Sequence, residues 1–158
     1  YRYNMNDILR VSGFINRCPL LVFQQKGNGA CNITGEKLYE NQVVDAFQSM
    51  NWNAIFYQVL ADVSQSRYVG FVEWHLQPEM DKAELALRMD QALRMRNIEY
   101  DEKRASGRLQ QFELKYLPEG TFTEIKRQAV AAGQKEGQFK MVMLQYMEGY
   151  KWDLSKAN

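Results

Sequence analysis

Two residues in this chain pair a reactive group with a setting that could use it. Asp7 is the one carboxylate in the opening stretch Tyr1 to Phe14, between a turn at Asn4 to Asp7 and an apolar strand with Ile8, Leu9 and Val11. A carboxylate fixed in this way can offer two oxygens to two neighbouring hydroxyls, as acidic residues do for the ribose of a nucleotide. The plainer reading of the same placement is a turn cap. Lys140 follows a helix stop at Gly133 and a stretch, Gln134 to Gly137, that reads as flexible. Such a lysine can swing into a neighbouring site and meet a phosphate or a developing negative charge. An ammonium about 4 Å from an anion contributes on the order of 4 kcal/mol in a partly screened site. A surface solubilising lysine is the plainer reading here.

The other reactive types lead nowhere specific. His75 is the one histidine, on a strand face opposite to Val72 and Trp74, with no nucleophile or acid to partner it. It reads as a surface or edge residue. Cys18 and Cys31 are too few for a disulfide framework and have no histidine cluster for zinc; free cysteines suit a reducing cytosol. Asp101 and Glu102 lie in a mixed-charge run that reads as a solvated loop, and Trp52, Trp74 and Trp152 read as core or lid residues. Gly27-Asn28-Gly29 is a turn of little steric restriction, read as a hinge or domain boundary. It is not a phosphate loop: Gly29 to Gly35 has the wrong spacing, Glu36 precedes Lys37, and the dinucleotide pattern fails as well.

Composition narrows the classes further. Twenty basic and 19 acidic residues give a net charge of +1, which argues for neither nucleic-acid nor membrane attraction. No apolar run approaches the roughly 20 residues that span a bilayer. With 46% hydrophobic and 25% charged residues the chain has an ordinary globular composition. The start at Tyr1, inside an apolar stretch, leads to the expectation that the chain is the back end of a longer protein.

The elements that must position these residues follow from periodicity. A second apolar run covers Pro19 to Phe23. Glu40 to Met50 reads as a helix with Val43, Val44, Phe47 and Met50 on one face. Ala54 to Ser64 alternates as a half-buried strand, with Gln58 and Asp62 on its outer side, and pairs as a hairpin with Tyr68 to Leu76. Asp81 caps a long helix, with Glu84 in capping-box position and Leu85, Ala86, Met89, Ala92 and Leu93 as its stripe. Lys82, Glu84, Arg88, Asp90, Arg94 and Arg96 read as its solvated face. Asn97 to Gly107 is a charged run; Leu109 to Leu117 is a third strand; Thr121 with Glu124 opens a last helix. The fold class expected is α+β, in the order α-β-β-α-β-α. A small, three-stranded, mostly antiparallel sheet has two helices on one face, preceded by terminal strands of a larger domain. The division expected is residues 1–26, the end of that preceding domain with a hinge, and 27–158, a mobile C-terminal domain.

Five stretches in this order resemble a known family. Tyr1-Arg2-Tyr3, Asp7, Arg10-Val11 and Gly13-Phe14 are similar to a YRY-x-x-G-D-x-x-R-V-x-G-F segment, with Asn6 in place of glycine. Gly35-Glu36-Lys37-Leu38 resembles a post-hinge turn. Asn97, Tyr100, Arg104, Gly107 and Leu109 resemble an N-x-x-Y-x-x-x-R segment and its following G-P-L, with Arg108 in place of proline. Gly120-Thr121-Phe122, Gly133 and Gln138-Phe139-Lys140 resemble the family's ending. The family is the auxin-responsive Gretchen Hagen three family of acyl acid amido synthetases, within the adenylate-forming superfamily, and the chain resembles its C-terminal end, as a bacterial relative. The resemblance implies a cytoplasmic ligase that activates a carboxylic acid with ATP and magnesium as acyl-AMP and transfers the acyl group to an amine, often of an amino acid. It implies that Asp7 binds the ribose, that Lys140 reaches the α-phosphate and acyl carboxylate, and that Lys26 at the hinge approaches the nucleotide. The phosphate loop and acyl pocket belong to the N-terminal domain, so this stretch alone is expected to be inert. Met141-Val142-Met143 departs from the family's Lys-x-Pro-Arg continuation. The alternatives are a thioester-forming ligase of the same superfamily and a non-catalytic interaction module.

Overall fold

The computed structural model describes residues 7–26, 29–133, 135–138, 141–152 and 154. The chain opens on a hairpin. Strand β1 (Asp7–Ile15) pairs antiparallel with β2 (Cys18–Lys26) across a tight turn in which Asn16 takes the left-handed conformation, φ 55°. Where a turn at Asn4 to Asp7 was expected, Asp7 already lies in β1, and residues 4–6 lie outside the described residues. A two-residue ladder, β3 (Ala30–Cys31) with β4 (Leu38–Tyr39), follows; such short strands leave no periodic signal.

Helix α1 (Glu40–Met50) has the bounds that its apolar spacing predicts, and Asn51 at φ 50° ends it. Strands β5 (Ala54–Asp62) and β6 (Arg67–Trp74) form the expected hairpin. They are the middle of a four-stranded sheet with the order β7-β6-β5-β8, in which β7 (Glu113–Tyr116) and β8 (Leu144–Tyr146) join as parallel edges. The sheet is thus α+β as expected but mixed, with one antiparallel pair between two parallel ones. Parallel partners lie far apart in sequence and carry no hairpin signature.

The expected half-buried strand is buried on both sides. Val59 and Ala61 face one core with Tyr68 and Val72 of β6, under α1, α2 (Lys82–Arg96) and α3 (Ile98–Ala105). Phe56 and Leu60 face a second core with Val69, Phe71 and Leu117, closed by Phe122 of α4 (Thr121–Ala131) and by Met141, Met147 and Tyr150. Helices therefore cover both faces instead of one. Gly70 of β6 has a reason to lack a side chain: a Cβ there would sit 2.6 Å from Phe112 Cζ.

The helix ends depart from the capping pattern in instructive ways. Asp81 caps α2 by accepting from Ala83 N–H, while Glu84 pairs with Arg88. The cap of α4 comes from another strand. Glu73 of β6, buried, accepts from Gly120 N–H at 2.7 Å and Phe122 N–H at 2.8 Å, while Thr121 Oγ1 donates to the Pro118 carbonyl. The charged run after Asn97 is α3, not a loop. Asn97 caps it by accepting from Tyr100 N–H at 2.8 Å.

Asp90 corrects the reading of α2's solvated face: it is 1% exposed. Its Oδ1 accepts from Tyr100 O–H at 2.7 Å and Arg104 Nε–H at 2.8 Å, and from Phe112 N–H at 3.3 Å. Positions 97, 100 and 104 lie on one face of α3 (spacing i, i+3, i+7), so the Asn-x-x-Tyr-x-x-x-Arg spacing is architectural: it locks α3 to α2 and to the entry of β7.

Candidate functional site

The hairpin places two of the three sequence-predicted site residues together. Asp7 at the start of β1 and Lys26 at the end of β2 are backbone register partners at the hairpin's open end. That end leads directly into residues 27–28. Lys140, the third, lies outside the described residues, between a short 3-10 helix (Glu136–Gln138) and the segment from Met141.

The structure shows what holds the chain that follows residues 27–28 and 139–140. Just after residues 27–28, the Gly29 carbonyl accepts from Glu40 N–H at 2.7 Å. Just after residues 139–140, Met143 N–H donates to Glu40 Oε1 at 2.6 Å. Val142 C=O accepts from Gln58 Nε2 at 2.7 Å, and Met143 C=O from Val59 N–H at 2.8 Å. Gln58, expected on an outer strand face, is fully buried, and its Oε1 accepts from Tyr150 O–H. Both flanking segments therefore meet at the first turn of α1. Sequence reasoning missed Glu40 and Gln58; an acidic residue opening a helix was the available signal for Glu40, and nothing local marks Gln58.

The remaining reactive groups are committed elsewhere. Glu36 is fully buried and accepts from Tyr68 O–H at 2.7 Å, Thr34 Oγ1–H at 2.8 Å, and the N–H groups of Ile33 and Thr34, each at 2.9 Å. Burial pushes its carboxyl up, but these donors outweigh burial and hold it below the ordinary glutamate value. Cys31 is buried, and burial, with Glu36 beside it, pushes its thiol up to about 12, which removes it as a nucleophile. His75 is exposed just past the end of β6, as its sequence setting suggests. The tryptophans follow the core reading in part: Trp52 and Trp74 pack with Phe47 and Tyr116 in one aromatic cluster.

Two cavities flank the start of β5. One, of about 240 Å³, is lined by Phe56, Phe122, Met141 and Met143 among others. The second, of about 280 Å³, is lined by Phe47, Trp52 and Tyr57 with the amides of Gln48 and Asn51. Neither lining includes a charged side chain. Among the described residues no three His, Cys, Asp or Glu side chains come together as metal ligands.

A strand hairpin followed by an α+β unit, with a mixed sheet between two cores, sets the fold class. The family models agree on where its parts come from. The GH3 family central domain matches residues 1–26 and the GH3 family C-terminal domain matches residues 39–147. The chain belongs to the GH3 family. It is similar to the probable indole-3-acetic acid-amido synthetase GH3.1 of Oryza sativa subsp. japonica, at 28% identity over 89% of this chain and 25% of that protein. It is similar also to the indole-3-acetic acid-amido synthetase GH3.6 of Arabidopsis thaliana, at 26% identity over 89% of this chain and 25% of that protein. Among solved structures, the GH3.15 acyl acid amido synthetase has the same fold over 91% of this chain and 29% of its own, with a TM-score of 0.71 at 20% identity. The chain spans about a quarter, 25%, of the length of the curated relatives it matches. These relatives are plant proteins and give no support to a bacterial origin.

Proposed function

We propose that this chain is the C-terminal part of an ATP-dependent acyl-adenylating amide synthetase, with the hinge at residues 27–28 between the hairpin and a mobile domain. The observation that carries the reading is the order of the family matches: central domain up to Lys26, C-terminal domain from Tyr39, with Asp7 and Lys26 paired beside the joint. In the reaction, a carboxylate oxygen of the acid attacks the α-phosphorus of ATP. The bond to the pyrophosphate oxygen breaks, and pyrophosphate leaves. The amine of an amino acid then attacks the acyl carbon, AMP leaves, and the amine loses its proton.

Each residue has a role that its chemistry allows. Asp7 accepts from the ribose hydroxyls, Lys26 offers a cation near the nucleotide from the hinge, and Lys140 neutralises charge gathering on the α-phosphate and the attacking carboxylate. The triphosphate, magnesium and acyl pocket belong to the preceding domain. The partners are thus a small carboxylic acid, an amine and the chain's own N-terminal domain, in the cytoplasm. No helix among the described residues is long and apolar enough to cross a membrane.

The test is ATP–pyrophosphate exchange in the full-length enzyme. Lys140→Ala is expected to slow exchange by about 10²- to 10³-fold, the usual effect of deleting a charge-stabilising donor, with its melting temperature kept. Asp7→Ala is expected to raise the KM for ATP. Near-normal exchange in Lys140→Ala removes the reading, and product formation with a thiol in place of an amine moves it to a thioester ligase.

A further inference from the structure

The end of α1 and the start of β5 form an aromatic corner. Asn51, left-handed at φ 50°, ends the helix and turns the chain. Trp52 then packs against Phe47 of α1, with ring centroids 5.3 Å apart and planes at 88°. Phe47 in turn stacks on Tyr57 of β5, at 4.0 Å and 9°. An indole thus stands steeply against two parallel rings. These three rings line the cavity of about 280 Å³, together with Gln48, Asn51 and Ala54. We propose that this corner is a binding site for a small organic cation, an alkylated ammonium held against the aromatic rings.

Size, wall chemistry and charge each point to that class. Small-molecule sites commonly offer about 300–1,000 Å³, so a cavity of about 280 Å³ suits a compact head group. Aromatic faces are the negative side of the ring quadrupole and attract a cation within about 6 Å of the centroid. The carboxamides of Gln48 and Asn51 add acceptor oxygens, and the lining carries no positive side chain. Asp45 supplies the charge. It precedes Gln48 by three residues on α1, so the two are neighbours on the helix surface. Asp45 is exposed, and no basic side chain among the described residues pairs with it. Burial pushes the Tyr57 phenol up, and Glu40 and Asp45 push it further, so both carboxylates act on a ring of the lining. The same row of rings already holds a cation at its other end. Trp52 packs on Trp74 and Trp74 on Tyr116, and Lys82 Nζ lies 5.8 Å from the Tyr116 centroid. An uncharged ligand of the same shape would use the rings but gain nothing from Asp45.

The probe is choline, with 3,3-dimethylbutan-1-ol as its uncharged carbon isostere. Each is titrated calorimetrically into the full-length protein and into Trp52→Ala, Trp52→Phe and Asp45→Lys. Choline is expected to bind with a Kd on the order of 1 mM, and the isostere about 5- to 30-fold more weakly. Trp52→Ala should weaken choline binding by about 5- to 30-fold, and Trp52→Phe, which keeps a ring face, should lose less. Asp45→Lys changes an exposed residue and leaves the rings in place. It should weaken choline by about 3- to 10-fold and leave the isostere unchanged, which keeps the test decisive if Trp52→Ala fails to fold. Equal affinity for choline and its isostere overturns the proposal. So does choline binding that Asp45→Lys leaves untouched. No measurable heat with choline, while indole binds, shows a cavity for neutral rings and overturns it as well.

Discussion

Removing the Asp90 carboxylate should cost this domain more than any other single charge in α2. Asp90 is 1% exposed and Arg104, its ion-pair partner at 2.8 Å, is 15% exposed at its side chain. Asp90→Ala would leave that guanidinium without its counter-charge and would orphan Tyr100 O–H and Phe112 N–H. Stripping one partner from a buried pair costs about 3–5 kcal/mol. Arg104 keeps some access to water and still donates to the Leu109 carbonyl at 2.8 Å, which argues for the lower end, about 3 kcal/mol. For a chain of this length each kcal/mol moves the melting temperature by about 2–4 °C, so a fall of about 6–12 °C is expected. The assay is thermal unfolding followed by circular dichroism, for Asp90→Ala, Arg104→Ala and the double variant. The cycle should show a coupling of about 1–3 kcal/mol, since the double variant no longer buries a lone charge. A melting temperature within about 2 °C of the parent, or additive losses, would refute the claim that this hub locks α3 to α2.

Glu36 gives a pH dependence whose sign follows from its donors. Its folded carboxyl is held below 4.5, so the unfolded chain takes up a proton there first; the stabilisation is full above that pH and is lost as pH falls through the folded value. Urea midpoints between pH 6 and pH 3 should therefore fall less steeply in Glu36→Gln than in the parent, and parallel profiles would contradict this. Gly70→Ala should destabilise by about 1–3 kcal/mol through overpacking, because its Cβ would meet Phe112 Cζ at 2.6 Å and Leu114 Cδ1 at 3.2 Å. Phe112→Leu should recover part of that loss in the double variant, measured by the same urea midpoints.

What sequence could reveal here depended on whether a residue's partner was local. Helix α1, the β5–β6 hairpin and the body of α2 are written in apolar spacings of 3.6 and 2 residues, and the structure has them. Helix α3 buries little besides Tyr100, so its eight residues show charge and no stripe. The parallel edges β7 and β8 are set by partners more than 40 residues away, which no local pattern records. Asp90 carried a readable signal: it shares the stripe of Ala86, Met89 and Leu93 at spacings of 3 and 4, where a charge must be paired. Of the site, Asp7 is legible as the one carboxylate beside an apolar strand and Lys26 only through the family resemblance, while their register pairing is a property of the hairpin. Lys140 owes its role to the family resemblance of Gln138-Phe139-Lys140, its position alone reading as a surface lysine, and it lies outside the described residues.

The buried carboxylates also bear on how the elements are fastened together. Glu36, Glu73 and Asp90 each accept from two or more internal donors and none is more than 2% exposed. A carboxylate with its acceptor sites filled and no contact with water meets no substrate. These three instead join elements across the fold: Glu36 ties the turn after β3 to β6, Glu73 ties β6 to α4, and Asp90 ties α2 to α3. A domain fastened internally in this way resists deformation and is suited to move as a unit, since packed cores shift between discrete arrangements more readily than they bend. Glu40 differs from the other three. It is only partly buried, and its two bonds lie along the edge that follows the joint and the lysine segment. Losing one of the core carboxylates should therefore lower the stability of the fold.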